Sequence, residues 1–248
     1  MFNRERTRRH MTDGAFASPF PVEDPVALAA LEVAQSGLAA AVRALADATV
    51  RTRVAAPDLA AVAEQVETLT ARLLAEAQEG PLGLETDSAG RLRDHGNAMV
   101  GMRNPIAPPL VVTGDESGST SCALTLGAGY EGPPGYVHGG IVAAVLDQVL
   151  GSVPAHLGLP GMTAYLNTTY RRPTPLGAPL HCRGWVERVD GWKVHARGEI
   201  RDAQDLVTAE AEALFVVPRW AREHLDRPTG DAAGTAPGGE AAQEPSAS

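Results

Sequence analysis

The sequence predicts an α+β fold in which one central apolar helix lies against five or six mostly antiparallel strands, with two further helices ahead of them. Three observations lead there. The hydrophobic period is helical from Asp24 through the following fifty residues and becomes alternating, as in strands, from Leu110 onward. A single apolar helix, starting at Gly139, interrupts the strand-forming half. Asp190-Gly191 separates two alternating runs, a short-range signature of an antiparallel hairpin.

The elements follow in order. "EDPVALAALEVAQSGLAAAVRALADATV" reads as a helix with Asp24 as its N-cap and Pro25 at the first helical position. Leu31, Leu38, Val42, Leu45 and Thr49 recur at helical steps and make one apolar seam. "PDLAAVAEQVETLTARLLAEA" repeats the pattern with Leu59, Val62, Val66, Leu69 and Leu73. The connecting "RTRVAAP" is short enough for an antiparallel helical hairpin, whose role reads as structural or oligomer-forming. Residues 84–108 form a loop-like connection containing "GMRNPIAPP". "PLVV" and "STSCALTLG" read as strands, the second alternating through Cys122, Leu124 and Leu126. After the apolar helix come "GMTAYLNTTYRRP", "PLHCRGWVERV", "WKVHARGEI" and "DLVTAEAEALFVV", the last closed by Pro218. The chain thus divides into a flexible N-terminus (1–23), the helical hairpin (24–83), one domain of enzyme size (84–220) and a disordered tail rich in Gly, Pro, Ala and Ser (221–248).

Composition removes several function classes. The chain has 248 residues, 44% of them hydrophobic, so a sizeable core is within reach. A net charge of −9 opposes attraction to phosphate backbones, and 4% aromatics gives no base-stacking platform, so no nucleic-acid partner is expected. Cys122 and Cys182 form no C-x-x-C pair, which argues against a disulfide scaffold and a structural zinc site. No P-loop, dinucleotide fingerprint, H-E-x-x-H or EF-hand loop is present, and neither a metal nor a cofactor is expected. "GDESG" places Glu116 where a serine-hydrolase elbow needs serine. No apolar run reaches roughly 18 residues, so no membrane span is expected. The basic "MFNRERTRRHMTDGAF" lacks the apolar region of a secretory signal, and Met11 is an alternative start. These features predict a soluble protein in a reducing, cytoplasmic setting.

The chemistry concentrates in "YEGPPGYVHGGIVAAVLDQVLG". On a helical wheel Ile141, Val142, Val145, Leu146, Val149 and Leu150 share the half that would press on a sheet. Asp147 falls on the other side, between Ala143, Ala144 and Gly151. A carboxylate among tiny side chains is open to close approach by a ligand or another backbone; a plain solvent-facing aspartate is the alternative. His138-Gly139-Gly140 opens the helix, so free N–H groups and the positive dipole end point outward. Two readings fit that start. The glycines admit an oxyanion to the backbone, as acyl transfer requires, or they make a tight turn that His138 caps.

"GYVHGGIVAAVLD", with the acid nine positions after the histidine, resembles the hotdog-fold thioesterases of the PaaI-like family. The likeness continues through "GMTAYLNTTYRRPTPLGAPL", and "NPIAPPL" and "YEGPPGYVHGG" are similar to a bacterial branch of it related to mammalian thioesterase-superfamily enzymes. It covers about residues 95 to 220 and implies a central helix wrapped by a curved antiparallel sheet, with hydrolysis of acyl-coenzyme A as the activity. It implies that Asp147 is the acid, either general base toward water or nucleophile. It also implies that the Gly139 N–H polarises the thioester carbonyl, that His138 helps to position the substrate, and that Thr163 orients the water or the acid. Arg171 and Arg172 sit where the phosphates of coenzyme A would dock. The family often carries asparagine or glutamine six positions before the histidine; here that position is Gly132, leaving Tyr130 or Asn104 as substitutes.

Spacing adds a demand of its own. Gly139 and Asp147 are eight residues apart on one helix, roughly 12 Å, so they cannot both act on one thioester carbon. The missing partner must come from a second copy across a two-fold axis, which predicts a homodimer or a dimer of dimers. Two rival readings remain: an acyl-CoA-binding regulatory module, and a hydratase pairing His138 with Asp147.

Overall fold

The computed structural model describes residues 24–80, 85–86, 92–93, 95–115, 117–223 and 225. The expectations for residues 1–23 and for the tail from Asp226 lie outside them. Helices α1 (Pro25–Arg51) and α2 (Ala56–Leu74) lead the chain. Asp24 caps α1 through its carboxylate, which accepts from the Val26 N–H at 3.3 Å, and Pro25 opens the helix. Two short strands follow where sequence suggested only loop, β1 (Glu85–Thr86) and β2 (Leu92–Arg93), paired antiparallel. The sheet proper comprises β3 (Thr113–Gly114), β4 (Thr120–Thr125), β5 (Met162–Tyr170), β6 (Pro179–Asp190), β7 (Lys193–Arg201) and β8 (Val207–Val216). Helix α3 (Gly139–His156) enters between β4 and β5, and a turn of helix, α4 (Arg219–Arg222), closes the described chain.

The sheet order is β3-β4-β6-β7-β8-β5 with every neighbour antiparallel. It curves around α3, which packs against β4 through β8. Val142, Val145, Leu146, Val149, Leu150 and Val153 are buried on the sheet-facing half of α3, meeting Phe215, Leu180 and Ile200. The apolar half of the wheel therefore faces the sheet, with Ile141 at its margin and Val153 extending it. Burial of each such side chain is worth about 1.5–3 kcal/mol, so this layer holds the helix in place. This is the hotdog arrangement.

Sequence and structure differ at several places. "PLVV" makes no strand: Leu110 is buried and its N–H bonds to Met99, and the ladder takes up only Thr113–Gly114. Asp190 pairs with Lys193, so the hairpin loop is Gly191-Trp192, one residue later than expected. Gly191 has φ +54, the sign that the first position of a II′ turn reserves for glycine. The fold continues past residue 220, where the tail is expected to begin: Ala221 is buried and Arg222 lies 5.7 Å over the Trp192 ring.

The N-terminal helices depart furthest. Their seams do not meet, and α2 has no buried residue. Helix α1 docks on the domain through Leu28 and Ala39 together with polar groups. Glu32 pairs with Arg93 at 3.0 Å, Arg43 donates to the Ala107 carbonyl at 2.8 Å, and Asp47 accepts from the Ala128 N–H at 3.1 Å. By length and composition alone α1 is long and apolar enough to cross a membrane, which does not by itself make it a span. Its charges are sparse and gathered on the docking face, which leaves a long window poor in charge.

One prediction arises from the packing of the sheet. A Cβ at Gly198 would stand 2.5 Å from the Arg183 carbonyl and 3.2 Å from Leu150. Gly198→Ala should therefore pry β7 from β6 and lower stability by about 1–3 kcal/mol. At Gly37, in α1, a Cβ meets nothing within 4 Å, so Gly37→Ala should be neutral or stabilising by up to about 1 kcal/mol. Urea midpoints of the two variants check both.

Candidate active site

The site is built at the start of α3. His138 is the N-cap, with φ −58 and ψ 133, and its Nδ1 accepts the Gly140 N–H at 3.0 Å. With Nδ1 an acceptor, the neutral ring carries its proton on Nε2. The backbone of His138 is fixed as well, its N–H donating to the Tyr130 carbonyl at 2.9 Å. Gly140 is thus occupied by the cap. The Gly139 N–H, first of the helix, has no partner among the described residues.

Gly139 lines a cavity of about 520 Å³ together with Tyr136, Val142, Tyr170, Arg171 and Arg172, among others. The size falls within the ordinary range for small-molecule sites. The helix dipole adds partial positive charge at the same place. Tyr170, at the end of β5, donates its hydroxyl to the Gly139 carbonyl at 2.9 Å and forms one wall. Sequence reasoning missed it. Its partner lies 31 residues away in the chain, and no local pattern announces such a bond.

The two arginines separate. Arg171 is paired with Glu210 through both Nε, at 2.9 Å, and a second guanidinium nitrogen. Among the described residues Arg172 makes one side-chain hydrogen bond, to the Val207 carbonyl at 2.9 Å, and no ion pair. Its charge remains available to an anion.

Gly132 is a steric necessity in this backbone. A Cβ there would sit 2.6 Å from the Cα of His138, so no amide side chain fits. Neither expected substitute reaches the cavity. Tyr130 donates to the Ile106 carbonyl at 2.8 Å, and Asn104 bridges the Gly96 carbonyl and the Ile106 N–H. Both hold the loop after His95 in shape. That loop is also absent from the lining of the cavity.

Asp147 lies two turns further along α3, half-buried beside Ala143 and Ala144. Its Oδ1 accepts from the Thr163 hydroxyl at 2.9 Å. A β-bulge between Thr163 and Tyr165 breaks the register of β5 against β8 at this point, and such bulges re-aim side chains. Structure thus brings Thr163 to Asp147, and His138, Gly139, Arg171 and Arg172 to one end of the helix. It does not bring the two groups together within one chain.

A sheet wrapped around one helix, whose first residue lines a cavity, defines the class: a hotdog-fold protein. Residues 134–209 match the family model described as Thioesterase superfamily. A crystallised thioesterase superfamily protein is 39% identical, with a TM-score of 0.66, over 73% of this chain and 94% of that one. The chain belongs to the thioesterase superfamily. It is similar to acyl-coenzyme A thioesterase THEM4 of Xenopus laevis, 38% identical over 96 residues that make up 38% of this chain and 43% of the relative. It is also similar to the Mus musculus protein of the same name, 36% identical over 88 residues, 35% of this chain and 37% of that one. The chain thus spans less than half the length of these curated relatives.

Proposed function

We propose that the chain hydrolyses acyl-coenzyme A to free carboxylic acid and coenzyme A, each site being shared between two copies. The observation that carries this reading is the division along α3: at one end Gly139, a cavity-lining residue whose N–H is unpartnered among the described residues, and two turns away a carboxylate bonded by Thr163. The family resemblance and the THEM4 relatives support the substrate class.

Strand β5 supplies a way to join two copies. It is the sheet edge beyond β8, nine residues long, and nearly all of it is exposed. A long uncovered edge is a template for pairing with another strand. Two-fold pairing of β5 would continue the sheet and set the two α3 helices antiparallel, so that Gly139 of one copy approaches the partner's Asp147.

In that arrangement the thioester oxygen accepts the Gly139 N–H, which strengthens as negative charge develops on it. The partner's Asp147 removes a proton from water as the oxygen attacks the carbonyl carbon, or attacks that carbon itself and is later released by water. The C–S bond breaks, and a proton goes to the departing thiolate. The Thr163 hydroxyl occupies one carboxylate oxygen and leaves the other to react. Arg172 binds phosphate of the coenzyme, and His138 fixes the helix start. The test is release of free thiol from acyl-CoAs of short, medium, long and aromatic chains, followed with a disulfide reagent. Turnover well above background with at least one supports the reading; none with any of them refutes it.

A further inference from the structure

Helix α1 has two working faces. Leu28, Ala39, Arg43 and Asp47 fasten one of them to the domain. The leucine seam lies roughly a quarter-turn away at 100° per residue and is uncovered, Leu38 being 47% exposed. On α2 the seam is equally bare, with Leu69 at 57%. The two seams are matched in register. About an antiparallel turn centred on Arg53 and Val54, Leu45 falls opposite Val62 and Leu38 opposite Leu69, each pair equidistant from the turn, while Val42 and Val66 match to within one residue. Flanking positions such as Ala41, Ala48 and Ala63 are small and uncharged, so the backbones can approach closely. Yet the linker is extended, with ψ 152 at Thr52 and 157 at Ala55, and α2 has no buried residue, so the two seams do not close on each other within the chain.

We infer that the seam of α1 is covered by α2 of a second copy, and reciprocally, as an exchanged pair of helices. Exchange of one element between identical protomers is a low-cost route to a dimer. The area suffices: the bare side chains of the two seams amount to about 600 Å² per copy and about 1,200 Å² per pair, the lower edge of specific interfaces. A second copy fits better than a lipid surface. Glu32, Arg43 and Asp47 tie α1 to the domain along its length, so the helix offers a narrow seam and not an apolar cylinder. The inference stands apart from the thioesterase reading, since it uses none of the site residues.

Disulfide trapping in the full chain tests it. The native thiols do not interfere, because Cys122 and Cys182 are both buried. Leu38→Cys and Leu69→Cys are made in chains with different tags, co-expressed and mildly oxidised. Exchange gives a covalent heterodimer bearing both tags as the main product. In a single chain carrying both substitutions, exchange gives a covalent dimer. A bond within one chain would show the hairpin closing on itself and overturn the inference. So would uncoupled thiols, whether or not the protein floats with anionic phospholipid vesicles. Val42→Cys with Val66→Cys is a second pair, matched to within one residue, read in the same way should the first impair folding.

Discussion

Asp147→Asn is expected to lower acyl-CoA turnover by about a hundredfold or more while leaving fold and substrate binding in place. The substitution is nearly isosteric, and its amide oxygen still accepts the Thr163 hydroxyl that now bonds Oδ1 at 2.9 Å. The group is half-buried, so the loss of charge costs little in packing. What disappears is the capacity to take a proton from water or to attack the thioester. Groups proposed to bind substrate lie elsewhere, at the Gly139 N–H, Tyr170 and Arg172. Steady-state turnover with calorimetric binding of a non-hydrolysable acyl-CoA analogue separates the two effects. Near-normal turnover would remove Asp147 from the chemistry. Weakened binding with unchanged turnover would make it a binding residue.

Much of this arrangement was legible in the sequence, and the failures have a common cause. The face of α3 could be read because one period governs it: residues spaced three and four apart meet one continuous apolar surface. Asp147 stood out against that pattern, and the glycines marked where a helix begins. In α1 the same procedure marked the leucine seam but gave no sign of the face that docks on the domain. The surface that α1 meets presents the carbonyls of Asn104 and Ala107 and the N–H of Ala128. Such a surface asks for Arg43 and Asp47, and hydrophobic periodicity does not register them. The leucine seam, conspicuous in sequence, was left bare.

Strand reading failed in a similar way. "PLVV" has the composition of a strand, but composition does not supply a partner, and its Leu110 backbone N–H is used by Met99. Around the site, the motif residues were legible because they are consecutive or share one helix. Tyr170 was not, since its bond to Gly139 exists only once β5 returns beside α3. The steric role of Gly132 likewise needs the backbone of His138 folded against it. Sequence pattern reports which face of an element is apolar; it does not report a polar contact made across the fold.

The sharpest consequence of a divided site is that two inactive chains should restore each other. Take Gly139→Pro and Asp147→Asn. The first removes the free N–H and little else: Gly139 is the first residue of α3, where proline is well tolerated. His138 before it has ψ 133, the extended conformation that a following proline requires. The nearest atom to a Cβ at 139 is the Tyr170 hydroxyl at 3.4 Å, an ordinary contact. The variant should therefore fold, which circular dichroism and a melting curve would verify. As homodimers both variants should be nearly inactive, one lacking the donor and the other the carboxylate at every site. In a heterodimer purified through two tags, one site collects both defects. The other pairs an intact Gly139 with an intact Asp147 from the opposite chain. Activity should return to about half the wild-type value per dimer if the sites act independently. Recovery at that level is possible only if the two groups serve one thioester from different chains. A folded heterodimer that stays inactive would sink the shared site, because each chain would then disable its own site through its own single defect.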